Sequence, residues 1–195
     1  MTTSYQRFSG FCGFLAGLFG LLYLVFFIIY KDPANLLPTL ALLAVGLLAV
    51  PLLVGLYLYL RSRSEGFALL GLLFGIGGAG GAAVQAAFDL ANNVHAPSTA
   101  FGYANPVDPR GFLTFAVAGL AILIFSGLIT NGRRLPRNLG YLGWVGGGLL
   151  IALFVAYLLI LSATNPVVLF LVFASGIIQP VWYLWVGWRF WRSRN

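Results

Sequence analysis

The stretch GLLFGIGGAGGAAVQAAFDLANN, residues 71 to 93, decides the fold. It begins as an apolar run rich in Gly and Ala, and it turns polar on one side through Gln85, Asp89, Asn92 and Asn93. A helix of about 20 apolar residues crosses a bilayer core about 30 Å thick. We therefore expect a central membrane helix whose polar end lies in the outer leaflet.

The composition extends this prediction to the whole chain. The 195 residues are 61% hydrophobic and 8% charged, with a mean hydropathy of +0.96, whereas soluble domains carry about 25% charged residues. The sequence predicts an all-α polytopic membrane protein with one domain, residues 1–195, built as a bundle of six transmembrane helices. The predicted spans are 8–30, 38–60, 67–90, 111–130, 139–161 and 167–188, and the longest connection is the outer loop 91–110.

Basic residues predict the orientation and argue against nucleic-acid binding. The net charge is +7, but the arginines form short clusters at the ends of hydrophobic runs, as membrane topology requires. With the N-terminus inside, the outer segments hold only Lys31 and Arg110. The inner segments hold Arg7, Arg61, Arg63, Arg133, Arg134, Arg137, Arg189, Arg192 and Arg194. We expect a multi-pass protein of the inner (plasma) membrane with both termini cytoplasmic.

Four stretches carry a family resemblance. They are AGLFGLLYL (16–24), YLRSRSEGFALLG (59–71), ITNGRRLPRNLGYLGWVGG (129–147) and PVWYLWVGWRFW (180–191). Together they resemble an uncharacterised bacterial six-span family known only as a domain of unknown function. Its members carry an Arg-x-x-Ser-Glu-Gly-like second loop and an Arg-x-x-Pro-x-x-Leu-like fourth loop. The resemblance implies six helices and an inner-membrane location, and it implies no activity and no catalytic residues.

Rows of small residues predict where helices pack. Such residues let helix backbones approach closely, and lipid gives no hydrophobic drive for association. We expect internal packing, with a homodimer contact or a close-approach ligand surface as the alternatives. The rows are Gly10, Gly13, Gly17 and Gly20 in the first span, Gly71/Gly75 and Gly77/Gly81 in the third, and Gly140, Gly143 and Gly147 in the fifth. These three helices are expected to form the bundle interior.

Prolines are expected inside two of the spans. Pro51 should kink the second span and free the carbonyl of Leu47, and Pro180 removes the helical donor for the carbonyl of Gly176. Gln179, beside Pro180, is the deepest polar side chain. It is interpreted as making a helix–helix hydrogen bond or satisfying freed backbone, with the lining of a buried cavity as the alternative.

Gln85, Asp89 and Asn92 share one face of the third span, and they form the candidate ligand-binding group together with Gln179. An ionisable residue in a membrane span is a functional candidate. We expect a pocket open to the outer side, with Asp89 as its one strong charge and loop 91–110 as its lid. In the competing account Asp89 pairs with Arg110 and pins the loop.

Other chemistry is not predicted. His95 is the only histidine and is interpreted as a solvated loop residue, so neither a metal site nor a cofactor is expected. Trp182, Trp185, Trp188 and Trp191 recur every third residue, which favours an interfacial aromatic belt with arginines meeting anionic headgroups. Catalytic residues are not identified.

Two classes of function stay open. The first is a binding or accessory bundle for a lipid-like small molecule or a membrane complex, and few polar groups within the spans favour it. The second is a small transporter or intramembrane enzyme with a site opening to the outer side, which would need several convergent polar groups. The expected partners are membrane lipids, with a membrane-protein partner or a homo-oligomer left open, and not nucleic acid.

Overall fold

The computed structural model of the chain describes residues 3–30, 35–95, 109–132, 134–162 and 164–192. Every regular element in these ranges is helical. The helices are α1 (Thr3–Tyr30), α2 (Leu36–Leu60), α3 (Glu65–Val94), α4 (Pro109–Gly111), α5 (Ala118–Thr130), α6 (Arg137–Ile160) and α7 (Pro166–Trp191). A π-helical segment, Phe112–Val117, lies between α4 and α5.

Six of the described helical segments are long and apolar enough to cross a membrane, which confirms the number predicted from sequence. The fourth of them, Phe112–Thr130, joins the π-helical segment to α5. The main difference lies at the end of α3, which continues to Val94. Asn92 and Asn93 therefore belong to the helix, as the face they were predicted to share with Gln85 and Asp89 requires, and the connection begins later than residue 91.

Asparagines determine where two helices begin. The Asn35 side chain accepts from the Leu37 amide (3.4 Å), and the Asn165 side chain accepts from the Val167 amide (2.9 Å). Each bond satisfies one of the amides that a helix N-terminus leaves unpaired. Because Asn35 caps α2, that helix starts at Leu36 and not at Pro38 as the sequence predicted.

The six long segments form a closed ring in chain order. Each packs against its predecessor and its successor, and the ring closes where α1 packs along α7. Contacts across the ring are few and join α2 to α5. The two helices are also the more buried ones, with 44% of the most apolar window buried in α2 and 56% in Phe112–Thr130. The prediction that the first, third and fifth spans form the interior is wrong.

The two ends of the ring differ in charge. We call one the arginine end: it holds the α2–α3 turn with Arg61 and Arg63, the α5–α6 turn with Arg134, and the end of α7 with Arg192. The Tyr59 hydroxyl donates to the Arg134 carbonyl there (3.4 Å). The opposite end, where the segments 31–34 and 96–108 attach, is the loop end. Most of the predicted lid, residues 96–108, lies outside the described residues.

Large buried side chains fill the ring from its middle to the arginine end. Among the largest fully buried residues are Trp182, Phe125 and Phe190, packed with leucines of α2 in one continuous core. The core near the loop end is smaller and is centred on Leu153 and Val168. The arginine end is therefore closed by a plug of packed side chains.

The contact between α1 and α7 brings two backbones together at glycines. A Cβ atom on Gly17 would lie 2.5 Å from the Pro180 carbonyl oxygen, and one on Gly187 would collide with the backbone of Gly10 and Phe14. These positions confirm that small residues serve internal packing. The third-span row is less uniform, because a Cβ on Gly81 would lie 2.6 Å from Leu113, whereas one on Gly77 would meet only ordinary contacts at 3.5 Å or more.

Neither interior proline breaks its helix. α2 runs through Pro51 and α7 runs through Pro180. The Tyr5 hydroxyl donates to the Pro51 carbonyl (3.4 Å). The Pro180 ring packs on the glycine face of α1, since its Cγ lies 2.8 Å from the Cβ position of Gly20. Proline and glycine together thus bring α1 and α7 close in the middle of the bundle.

The four tryptophans of α7 do not all belong to a belt. Trp182 is fully buried, and its indole Nε1 donates to the Leu139 carbonyl (3.1 Å). Trp188 and Trp191 are exposed, as a belt requires. The prediction is therefore wrong for Trp182. Rings that fan around a helix every third residue cannot all face outward when the helix packs in a ring.

Candidate functional site

The loop end of α3 carries three of the four residues proposed from sequence. Gln85, Asp89 and Asn92 are all half-buried. This face of α3 turns toward the fourth segment, because a Cβ on Gly78 would meet Ala118 (2.6 Å) and one on Gly81 would meet Leu113 (2.6 Å). Gln85 lies one helical turn beyond Gly81, on the same face.

Tyr23 of α1 lies toward the loop end and, by helical spacing, on the side of α1 that packs into the ring. Ser9, Gly13, Ala16 and Gly20 form the buried stripe of α1, and Tyr23 continues that stripe at helical spacing. The earlier residues of this stripe are small and lie in the tightly packed part of the bundle. Tyr23 is half-buried and lies beyond that part, nearer the loop end.

Tyr157 of α6 is the third group at this end. Its ring stacks on Phe115 of the π-helical segment, with centroids 6.0 Å apart and an interplanar angle of 29°. Tyr157 also packs against the small core around Leu153. The stacking fixes the ring, while the half-buried side chain retains some exposure.

Tyr23, Asp89 and Tyr157 converge. Both the Asp89 carboxylate and the Tyr157 hydroxyl lie within electrostatic range of the Tyr23 hydroxyl. The three residues belong to α1, α3 and α6, which alternate around the ring and do not pack side by side. Side chains from alternate helices can approach one another only across the ring axis. The loop end therefore brings a carboxylate and two phenols from three helices into one neighbourhood.

The π-helical segment borders the same region. The Thr114 hydroxyl is buried and has no hydrogen-bond partner among the described residues, and it lies 3.3 Å from the Cβ position of Gly81. Single π-helical turns widen a helix and occur often at functional sites. Here the turn brings Phe115 onto Tyr157 and Thr114 against α3.

Arg110 of α4 lies against the last turns of α3, next to the residues that carry Asp89. Its guanidinium carbon is 4.3 Å from the centroid of the Phe88 ring. The side-chain amide of Asn93 donates to the backbone carbonyl of Asp89 (2.9 Å), which stiffens the last turns of α3. The pairing of Asp89 with Arg110 stays a prediction.

Gln179, the fourth proposed residue, lies on α7, which packs against α1 and α6 and not against α3. Its side-chain amide donates to the hydroxyl of Tyr183 at 3.5 Å, one turn along the same helix. This bond lies within one helix, whereas the sequence favoured a bond between helices or one to freed backbone. Tyr183 belongs to the packed core, so Gln179 lies one helical turn from it on the loop-end side of the plug.

His95 follows the last turn of α3 and is exposed. Its backbone amide donates to the Ala91 carbonyl (2.9 Å) and ends the helix. Across the ranges that the structure describes, His, Cys, Asp and Glu form no group of three that could hold a metal ion.

Sequence reasoning missed Tyr23, Tyr157, Phe115 and Thr114. A signal for Tyr23 was present, because it extends the row of small residues that marks the inward face of α1. No comparable signal marks Tyr157, since α6 is apolar on every side and an inward tyrosine looks like a lipid-facing one. The π-helical turn that positions Thr114 leaves no mark in an apolar sequence.

Comparisons of the chain with protein-family models, with curated proteins and with solved structures return no match. The six-span resemblance therefore depends on the quoted loop motifs alone. Every role assigned to a residue below comes from this chain's own contacts.

Proposed function

We propose that the chain is a multi-pass plasma-membrane protein that holds a lipid-like small molecule in a recess at its loop end. Both termini lie on the cytoplasmic side in this proposal. The arginine clusters at the turns that follow α2 and α5 and at the end of α7 support that orientation, because cytoplasmic loops carry an excess of basic residues. The loop end then faces the outer side.

The observation that carries the proposal is the convergence of Tyr23, Asp89 and Tyr157 from alternate helices. An ionisable residue that faces the interior of a membrane bundle costs free energy and is retained mainly for function. Phenols present an apolar ring with one polar tip, so they suit a molecule that is itself part apolar and part polar. A carboxylate adds a strong acceptor for its polar group.

The plug favours binding over transport. A transporter needs a route that opens to each side in turn, and polar groups usually line its midplane. In this chain, Trp182, Phe125 and neighbouring leucines fill the ring from its middle to the arginine end. Near mid-depth on α7, Gln179 and Tyr183 bond to each other, and the buried Ser175 hydroxyl donates to the Leu171 carbonyl (2.6 Å). The alternative, a small transporter or an intramembrane enzyme, would require this packing to open.

An accessory role in a membrane complex is the second form of the same proposal. Many apolar side chains point outward from the ring, as they must in lipid, and a partner helix could cover some of them. A bound molecule is favoured over a partner because the polar cluster is half-buried and drawn from three helices that alternate around the ring, so a partner on one outer face would not reach all three.

The test combines native mass spectrometry with carboxylate-to-amide variants. The protein is purified in mild detergent, and the molecules that remain bound are weighed and then identified after extraction. Asp89→Asn removes the charge of the cluster with little change in shape. Glu65→Gln is the matched control, because Glu65 is exposed at the opposite end of the same helix.

We expect a non-protein mass on the wild type and on Glu65→Gln, and its loss from Asp89→Asn and from Tyr23→Phe. Melting temperatures distinguish this result from the alternative in which Asp89 pairs with Arg110 and holds loop 91–110 in place. If Asp89→Asn and Arg110→Gln lower the melting temperature alike and bound molecules do not change, Asp89 serves the loop and the proposal fails. A stoichiometric protein that co-purifies in place of a small molecule would establish the accessory role.

A further inference from the structure

Four aromatic rings form a continuous cluster at the arginine end, on the outside of the contact between α1 and α7. We call Phe11, Phe14, Trp188 and Trp191 the seam cluster. Trp188 and Trp191 meet edge to face with centroids 6.0 Å apart. Phe14 lies 6.2 Å from Trp188 and 6.0 Å from Trp191, and Phe11 lies 5.9 Å from Trp191. Three of the four, all but Phe14, are substantially exposed.

Two arginines border the seam cluster. The guanidinium carbon of Arg192 is 4.2 Å from the centroid of the Trp188 ring, and Arg189 lies three residues earlier on a neighbouring face. Both side chains are exposed. A guanidinium that stacks on an aromatic ring keeps its N–H edge available, and that edge matches the oxygens of a phosphate in a bidentate manner. Stacking therefore holds Arg192 ready to donate.

In the part of the chain that the structure describes, no acidic side chain lies beside these two arginines. Glu65 is the acidic residue described at the arginine end, and it begins α3, which does not pack against α7. Arg134 differs, because its guanidinium lies over the Tyr59 ring (5.8 Å) and Tyr59 packs on the core residue Phe190. Arg134 thus lies over a ring that packs on the core, whereas Arg192 lies over the exposed ring of Trp188.

An apolar surface extends from the seam cluster toward the middle of the bundle. Leu18 on α1 is 41% exposed, and Ile177 on α7 is 49% exposed. Both lie beyond the aromatic rings on helices that run along the seam. A molecule with a negative head at Arg192 could lay its hydrocarbon chains along this surface.

We propose that the seam cluster with Arg189 and Arg192 binds one anionic phospholipid, independently of the loop-end site. Its phosphate accepts from the two guanidinium groups, and its acyl chains lie against the aromatic rings and Ile177. Indole rings prefer the boundary between headgroups and hydrocarbon, which is where the glycerol backbone of such a lipid lies. A neutral phospholipid lacks the net charge that two unbalanced arginines select.

The test is a titration of delipidated protein in detergent with dioleoyl phosphatidylglycerol, followed by native mass spectrometry of the first bound lipid. The Arg189→Gln/Arg192→Gln variant should bind it about 30-fold more weakly, since each basic residue near a membrane surface contributes about fivefold. The matched control is Arg61→Gln/Arg63→Gln. It removes equal charge from two exposed arginines at the same end, and it should bind nearly as the wild type does.

Further experiments distinguish binding of a whole phospholipid from nonspecific attraction of negative charge. Trp188→Leu keeps both arginines but removes the ring under Arg192, so binding should weaken several-fold. Glycerol 3-phosphate in excess should not displace the lipid, because the headgroup alone lacks the acyl contacts. Equal weakening in the two double variants, displacement by glycerol 3-phosphate, or equal affinity for phosphatidylcholine would each overturn the proposal.

Discussion

The indole nitrogen of Trp182 donates to the backbone oxygen of Leu139 across 3.1 Å and so ties α7 to the first turn of α6. Gly143, one turn further along α6, makes room for the ring, since a Cβ there would lie 2.6 Å from the indole nitrogen. A fully buried tryptophan thus has its one polar atom satisfied by a backbone carbonyl near a helix start. The stability of the plug should depend on this pair.

Trp182→Phe should lower the free energy of unfolding by about 2 kcal/mol, because it removes the bond to Leu139 and leaves a small void. Stability is measured as the melting temperature in detergent, and static light scattering detects the unfolding. Trp144→Phe is the control, since Trp144 is 47% exposed and its loss should change stability little. Equal shifts for both variants would contradict the assignment of Trp182 to the core.

Gly187→Ala should destabilise the contact between α1 and α7 by about 2 kcal/mol or more, because the added methyl group would collide with backbone atoms that cannot rotate away. Gly80→Ala places the same methyl group where nothing lies within 4 Å. It should be neutral or stabilise by up to about 1 kcal/mol, the usual gain of alanine over glycine in a helix. If Gly187→Ala and Gly80→Ala lower the melting temperature by the same amount, the close backbone contact between α1 and α7 is contradicted.

The orientation is predicted to place the arginine end in the cytoplasm. Reporter fusions after Arg63, Arg134 and Asn195 should score as cytoplasmic, and a fusion near Thr99 should score as external. Removing charge gives a second test. Replacement of Arg61 and Arg63 by glutamine should reduce the excess of basic residues on the cytoplasmic side without reversing the orientation, because the other basic clusters remain. An external signal from the C-terminal fusion would overturn the orientation.

Thr114→Val should leave stability unchanged or raise it by about 1 kcal/mol, because the variant keeps the shape and removes a buried hydroxyl that has no described partner. Thr130→Val makes the same change at a hydroxyl that donates to the Ser126 carbonyl (2.7 Å). It should lower stability by roughly 0.6 kcal/mol, the mean for such bonds within membrane bundles. A large loss of stability at Thr114 would show that its hydroxyl has a structural partner.

The number and approximate ends of the helices were predictable from the sequence because apolar length is read directly from composition. Which side of each helix faces inward was less predictable. α2 is apolar on every side, so hydrophobic periodicity cannot distinguish its buried residues from its lipid-facing ones. Small residues were the better guide, as Gly17 and Gly187 show.

The candidate site was predictable only in part. Asp89 stood out because it is the sole carboxylate within a predicted span, where it lies one residue before the end of the third span. Its neighbours Tyr23 and Tyr157 come from residues 66 positions before it and 68 after it, and only the closure of the ring brings them together. Such long-range proximity depends on the order of helices around the axis, which a single sequence does not specify.

The closure of the ring by α1 and α7 has a consequence for synthesis. The glycine face of α1 leaves the ribosome before its partner α7 is made. Until α7 inserts, Gly10 and Gly17 face lipid or a chaperone in the membrane, and the close backbone contact cannot form. Release of the nascent chain before residue 166 should therefore leave an open five-helix arc, a form that membrane quality-control proteases can recognise by that uncovered face.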